Sequence, residues 1–172
     1  QENRQKSFDD FIAIAEDLIK RKITSPKKLG IMGGSNGGLL VGSVLVQRPD
    51  LFQAVVCQVP LLDMLRYHKL LAGYSWIAEY GNPDDEKMRE TLLSYSPYQN
   101  IMIDKTYPKP LFITSTKDDR VHPGHARKMV AKMEEMKHPV LYFENLEGGH
   151  NAAANLKQRA QMKALEFTYL FQ

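Results

Sequence analysis

The sequence predicts an α/β fold: a mostly parallel sheet with helices on both faces. Three observations carry this. Short apolar runs of strand length recur along the chain, stretches with helical spacing alternate with them, and 172 residues that are 43% hydrophobic suffice for one core. Strand, helix, strand, helix with short buried strands is the pattern of a parallel sheet covered on both sides. Right-handed crossovers follow by default.

The elements follow in order. Over 7–22, Phe8, Phe11, Ile12, Ala15, Leu18 and Ile19 recur at three- and four-residue steps, one apolar stripe on an amphipathic helix. Ser7 and Asp10 have capping-box spacing, and Lys20-Arg21-Lys22 suits the negative pole of the helix. Thr24-Ser25-Pro26 breaks it. Residues 28–32 read as a buried strand cut off by Gly33-Gly34, and 37–47 as a helix ended by Arg48-Pro49. Residues 52–59 form a second strand, closed by Pro60, and 110–115 a third. A helix over 125–137, a fourth strand over 139–146 and a helix over 154–171 complete the pattern. The stretch 61–108, rich in Tyr, Asn, Pro and charges, is too long for a plain connection. Excursions of that kind usually cover or build a site.

Composition excludes several classes. The net charge is +3 and the basic residues are dispersed, apart from clusters such as Lys20-Arg21-Lys22 and Lys27-Lys28 at a helix end. That gives no footprint for nucleic acid. No apolar run approaches the roughly 18 residues of a membrane span. Cys57 is alone, so no intrachain disulfide forms, which fits a reducing compartment and favours the cytoplasm, with the periplasm as alternative. The amino terminus has neither a signal-peptide pattern nor an initiator Met, and the chain reads as a piece of something longer.

Gly33-Gly34-Ser35-Asn36-Gly37 is a G-x-S-x-G match lying between a strand and a helix. In that context it reads as a nucleophile elbow, a turn so tight that glycines are expected two residues to either side. It lifts the Ser35 hydroxyl above the sheet and aims the Asn36 backbone N–H at a developing oxyanion. The turn has neither G-x-G-x-x-G spacing nor a P-loop lysine. The chain order of such hydrolases is serine, acid, histidine. Asp118-Asp119 follows the third strand and His150 the fourth, so both share the edge of the sheet where Ser35 sits. His150 would take the serine proton and an aspartate would orient the imidazole; spacing alone does not separate Asp118 from Asp119. His122 and His125 have H-x-x-H spacing without further ligands, so no metal and no cofactor is expected. His68 and His138 read as loop or surface residues.

These segments resemble the prolyl oligopeptidase family of serine peptidases: Gly33-Gly34-Ser35-Asn36-Gly37-Gly38-Leu39-Leu40-Val41, Asp118-Asp119-Arg120-Val121-His122-Pro123 and Gly149-His150. The resemblance runs over essentially the whole chain and implies a partial α/β-hydrolase fold, with residues 1–172 as one catalytic-domain fragment. It makes Asp118 the acid and gives Arg120 the task of holding a substrate carbonyl. It makes Trp76 a platform for a substrate proline ring, with Tyr80 in the same pocket. The implied activity is cleavage of short peptides after proline. Glu79 leaves open cleavage after Arg or Lys. The same residues also suit a carboxylesterase or aminopeptidase-like hydrolase, or an inactive hydrolase-fold fragment acting as an interaction module. The family's β-propeller, and the tyrosine that supplies its second oxyanion donor, have no counterpart here. Weak activity of the isolated chain is therefore expected, as is self-association through an exposed sheet edge near 28–32 or through a missing amino-terminal segment.

Overall fold

The computed structural model describes residues 2–172. Among these residues four parallel strands, β1 (Gly30–Gly34), β2 (Ala54–Gln58), β3 (Leu111–Ser115) and β4 (Leu141–Asn145), lie side by side in chain order. The register pairs Gly33 with Cys57, Cys57 with Phe112 and Phe112 with Tyr142. Seven α-helices accompany them among the described residues: α1 (Arg4–Lys20), α2 (Asn36–Gln47), α3 (Ile77–Tyr80), α4 (Glu86–Tyr95), α5 (Pro97–Asn100), α6 (Gly124–Glu135) and α7 (Leu156–Leu170).

Strand alternation sends neighbouring side chains to opposite faces, and both faces are filled. Ile31, Val55, Cys57 and Phe112 join the larger core, with Phe8 of α1, Leu39 and Leu45 of α2, and Met129 and Met133 of α6. Val56, Leu111 and Ile113 point the other way, onto Met162, Tyr169 and Leu170 of α7. The inner strands are therefore buried on both sides, while β1 and β4 have exposed positions. The Tyr169 hydroxyl ties α7 down, accepting from Val55 N at 3.0 Å and donating to Lys109 O at 2.5 Å.

Residues between β2 and β3 fold over the larger core as short 3-10 turns and α3–α5. Ser43 Oγ donates to Tyr95 O at 3.0 Å, and Ser96 Oγ accepts from Met64 N at 2.9 Å, anchoring this excursion to α2 and to itself.

Three sequence expectations are corrected. Helix α1 starts at Arg4 rather than Ser7, and Ser7 does not cap it; the residue preceding the helix is Asn3, whose side chain makes no cap hydrogen bond. The extra turn is held by tertiary contacts, including Gln5 Nε2 to Gln47 Oε1 at 2.8 Å. Gly33 and Gly34 belong to β1 instead of ending it, because pairing with Cys57 and Gln58 outweighs the poor strand preference of glycine. His68 is buried, its Nε2 3.2 Å from Asp84 Oδ2.

Candidate active site

Ser35 occupies the sharp turn between β1 and α2 with φ 57° and ψ −115°, a conformation costly for a residue with a side chain. The surrounding hydrogen bonds hold it there. Ser35 N donates to Gln58 O at 2.9 Å, and Ser35 O accepts the first bond of α2, from Leu39 N at 3.1 Å. A Cβ on Gly33 would lie 2.2 Å from Gly37 O, so this glycine is required for the first turn of α2 to pass over the strand. At Gly37 a Cβ would meet nothing within 4 Å. The expected steric reason thus holds on one side of the serine only. On the other side the crowded position is Gly38, where a Cβ would lie 2.6 Å from Pro60. Asn36 is the first residue of α2, and its N–H has no carbonyl within the helix to bind.

Beyond β3, Asp118 is buried, and its Oδ1 accepts from Arg120 N and Val121 N, each at 2.9 Å. Its Oδ2 and Oδ1 lie 2.9 and 3.0 Å from His150 Nδ1. A carboxylate only accepts, so Nδ1 carries the proton and Nε2 is left as an acceptor. That nitrogen is 3.0 Å from Ser35 Oγ. Asn145, at the end of β4, shapes the histidine loop: its Oδ1 accepts from Glu147 N at 2.9 Å and Gly148 N at 3.0 Å. Sequence reasoning missed this role, although an Asn shortly before Gly-Gly is a turn signal.

The structure thus brings Ser35, Asp118 and His150 together, and it separates the two aspartates, since Asp119 is exposed. Arg120 contributes its backbone N–H to Asp118. Its guanidinium is exposed and forms no ion pair among the described residues. Trp76 ends the 3-10 turn Leu71–Trp76 and is partly buried against the larger core. Tyr80 is buried and touches the site through Asn36, its hydroxyl donating to Asn36 Oδ1 at 2.8 Å. Burial first, then the neighbouring Glu79 carboxylate, pushes the Tyr80 phenol up to about 12. Glu79 is 3.0 Å from the guanidinium of Arg4, a residue that no sequence motif singled out. A cleft of about 310 Å³ opens beside the serine, lined by Ser35, His150, Gln58, Met162, Arg159 and Lys163 among others.

The H-x-x-H histidines spend ring nitrogens on the backbone. His122 Nδ1 accepts from Gly124 N at 2.9 Å, and buried His125 Nδ1 accepts from Leu62 N at 3.3 Å and Asp63 N at 3.1 Å. Among the described residues no three His, Cys, Asp or Glu side chains group as metal ligands, and no helix is long and apolar enough to cross a membrane.

A hydroxyl, an imidazole and a carboxylate in series at the strand tips of a parallel sheet place the chain in the α/β-hydrolase class. The family model of the prolyl oligopeptidase family matches residues 1–172, and the chain belongs to that family. It is 59% identical over 170 residues to an uncharacterized peptidase of Sinorhizobium fredii, covering 99% of this chain and 23% of that protein. It is 39% identical over 165 residues to a prolyl endopeptidase of Dictyostelium discoideum, covering 92% of this chain and 22% of the relative. Among solved structures, a post-proline cleaving enzyme from Rickettsia typhi superposes with a TM-score of 0.96 at 41% identity, over 99% of this chain and 25% of that one. The chain spans about a quarter of the length of the relatives it matches.

Proposed function

We propose that this chain carries the catalytic triad of a serine peptidase that cuts short peptides on the carboxyl side of proline. The observation that carries the reading is the series Asp118–His150–Ser35, with His150 Nδ1 2.9 Å from the acid and Nε2 3.0 Å from the hydroxyl. The Ser35 oxygen attacks the scissile carbonyl while its proton passes to His150 Nε2. Asp118 stabilises the imidazolium, and the Asn36 N–H donates to the oxyanion. Collapse of the tetrahedral species breaks the C–N bond, the proton on Nε2 passes to the leaving amine, and an acyl-enzyme remains. Water, deprotonated by the same imidazole, then frees the acid product and regenerates the serine.

The proline preference is supported by the names of the relatives and by the residues of the pocket. By the resemblance, Trp76, partly exposed, is the flat apolar platform for a pyrrolidine ring, Tyr80 is buried beside Asn36, and Arg120 is an exposed cation for a substrate carbonyl. Cleavage after Arg or Lys would need Glu79 free, and Arg4 already holds it.

The test uses the natural protein at full length. A fluorophosphonate probe labels the unaltered protein and not Ser35→Ala, and a prolyl-amide peptide is cut in preference to a simple ester. Asp118→Asn lowers kcat about 10⁴-fold by imposing the wrong histidine tautomer, whereas Asp119→Asn changes it little. A folded protein whose Ser35 resists the probe would instead support the inactive interaction module.

A further inference from the structure

Arg4 stands apart from the other cations of this chain. It lies at the first turn of α1, 32 and 75 residues before the groups it binds, yet its side chain is only 17% exposed and reaches Asn36, the residue after Ser35, and Glu79. Nη1 donates to Glu79 Oε1 at 3.0 Å, Nη2 donates to Asn36 Oδ1, and the guanidinium carbon stands 5.0 Å from the centre of the Tyr80 ring. Its Nε is buried without a hydrogen-bond partner among the described residues, so the placement carries a cost.

The chemistry of the cluster gives that cost a purpose. Glu79 is half exposed, and one guanidinium bridges it to the side chain of the residue next to Ser35. An unpaired carboxylate there would attract a basic substrate side chain, because a guanidinium or ammonium is the natural occupant of a pocket with one negative charge. The chain supplies that guanidinium itself.

We propose that Arg4 is a specificity-determining residue: by occupying Glu79 from within, it removes an acidic anchor close to Asn36 and Ser35, so that an uncharged ring is favoured there and Arg and Lys are turned away. This rests on the peptidase reading above and adds the residue that decides between its two substrate classes. Discrimination of this kind is a difference between two affinities, and it is reached here by filling the competitor's anchor point in advance.

The experiment uses the full-length natural protein with two peptides matched except for proline or arginine at the cleaved position. Arg4→Met raises the arginine-to-proline ratio of kcat/KM about fivefold or more, the scale of one partly exposed ion pair. R4K, which keeps the charge but not the fork, leaves the ratio near that of the unaltered protein, and R4M/E79Q cancels the gain. Benzamidine binding, followed by Trp76 fluorescence, gives a readout without turnover. R4M binds it about fivefold more tightly than the unaltered protein, and R4M/E79Q does not. Equal losses on both peptides with unchanged benzamidine binding would make Arg4 a structural clamp and overturn the proposal, as would a gain that survives E79Q. If the unaltered protein cuts neither peptide, the peptidase reading fails, while benzamidine binding still decides the role of Arg4. Should R4M not fold, R4Q takes its place in both measurements.

Discussion

His125 shows how one residue type serves two purposes in this chain. His150 offers the serine hydroxyl an accepting nitrogen, whereas His125 is withdrawn from water and spends its Nδ1 on two backbone N–H groups. Burial, opposed by nearby Asp63, lowers the His125 imidazole from 6.5 to about 4. In the unfolded chain the ring takes a proton as pH falls through 6.5, while in the fold it stays neutral down to about 4. Stability therefore falls across that window and levels off below it, and none of this loss occurs above 6.5. Urea midpoints at several pH values show the decline, and His125→Gln flattens it. The same variant lowers stability by about 1–3 kcal/mol at neutral pH, because backbone donors lose their acceptor. In the sequence, the serine, the aspartate pair and the histidine of the site were legible from turn chemistry and strand order. The burial of His125 and His68, and the reach of Arg4, were not. They depend on contacts between residues far apart in the chain, which no local pattern encodes.

At the scale of elements, the elbow rests on unequal glycines. Gly33 is irreplaceable because the carbonyl of Gly37 occupies the space a methyl group would need. Gly37 lies in the first turn of α2 with open space around it, where alanine favours the helix by up to about 1 kcal/mol. Gly33→Ala should abolish fluorophosphonate labelling of Ser35, and Gly37→Ala should keep labelling and fold stability near those of the unaltered protein. Equal tolerance at both positions would contradict this account. Hydrophobic spacing predicted α1, α2, α6 and α7 and all four strands. It misplaced the start of α1 and the end of β1, since ends are set by tertiary partners such as Gln47 and Gln58. The helices of the β2–β3 connection were not predicted. Of these, α3 and α5 are single turns of four residues, too short to show a period, whereas α4 does carry helical spacing in Met88, Leu92 and Tyr95 within a stretch otherwise rich in polar residues.

For the molecule as a whole, strand order gives β1 a neighbour on one side only among the described residues, and Met32 is 42% exposed on it. Unpaired strand edges recruit others, and a charge blunts them. Residues 1–172 prepared alone should associate as concentration rises, and Met32→Lys should weaken this. Sedimentation at several concentrations is the check, and a monomer throughout would refute it. The parallel order has another consequence. Ser35, Asp118 and His150 follow the ends of β1, β3 and β4, whereas Trp76, Glu79 and Tyr80 all belong to the single connection between β2 and β3. On the reading proposed above, reactivity and the preference for the cleaved residue are thus encoded in separate stretches of the gene. An exchange confined to residues 61–108 could hand the enzyme a new diet without disturbing the machinery that breaks the bond, provided Arg4 on the far side of the sequence changed in step.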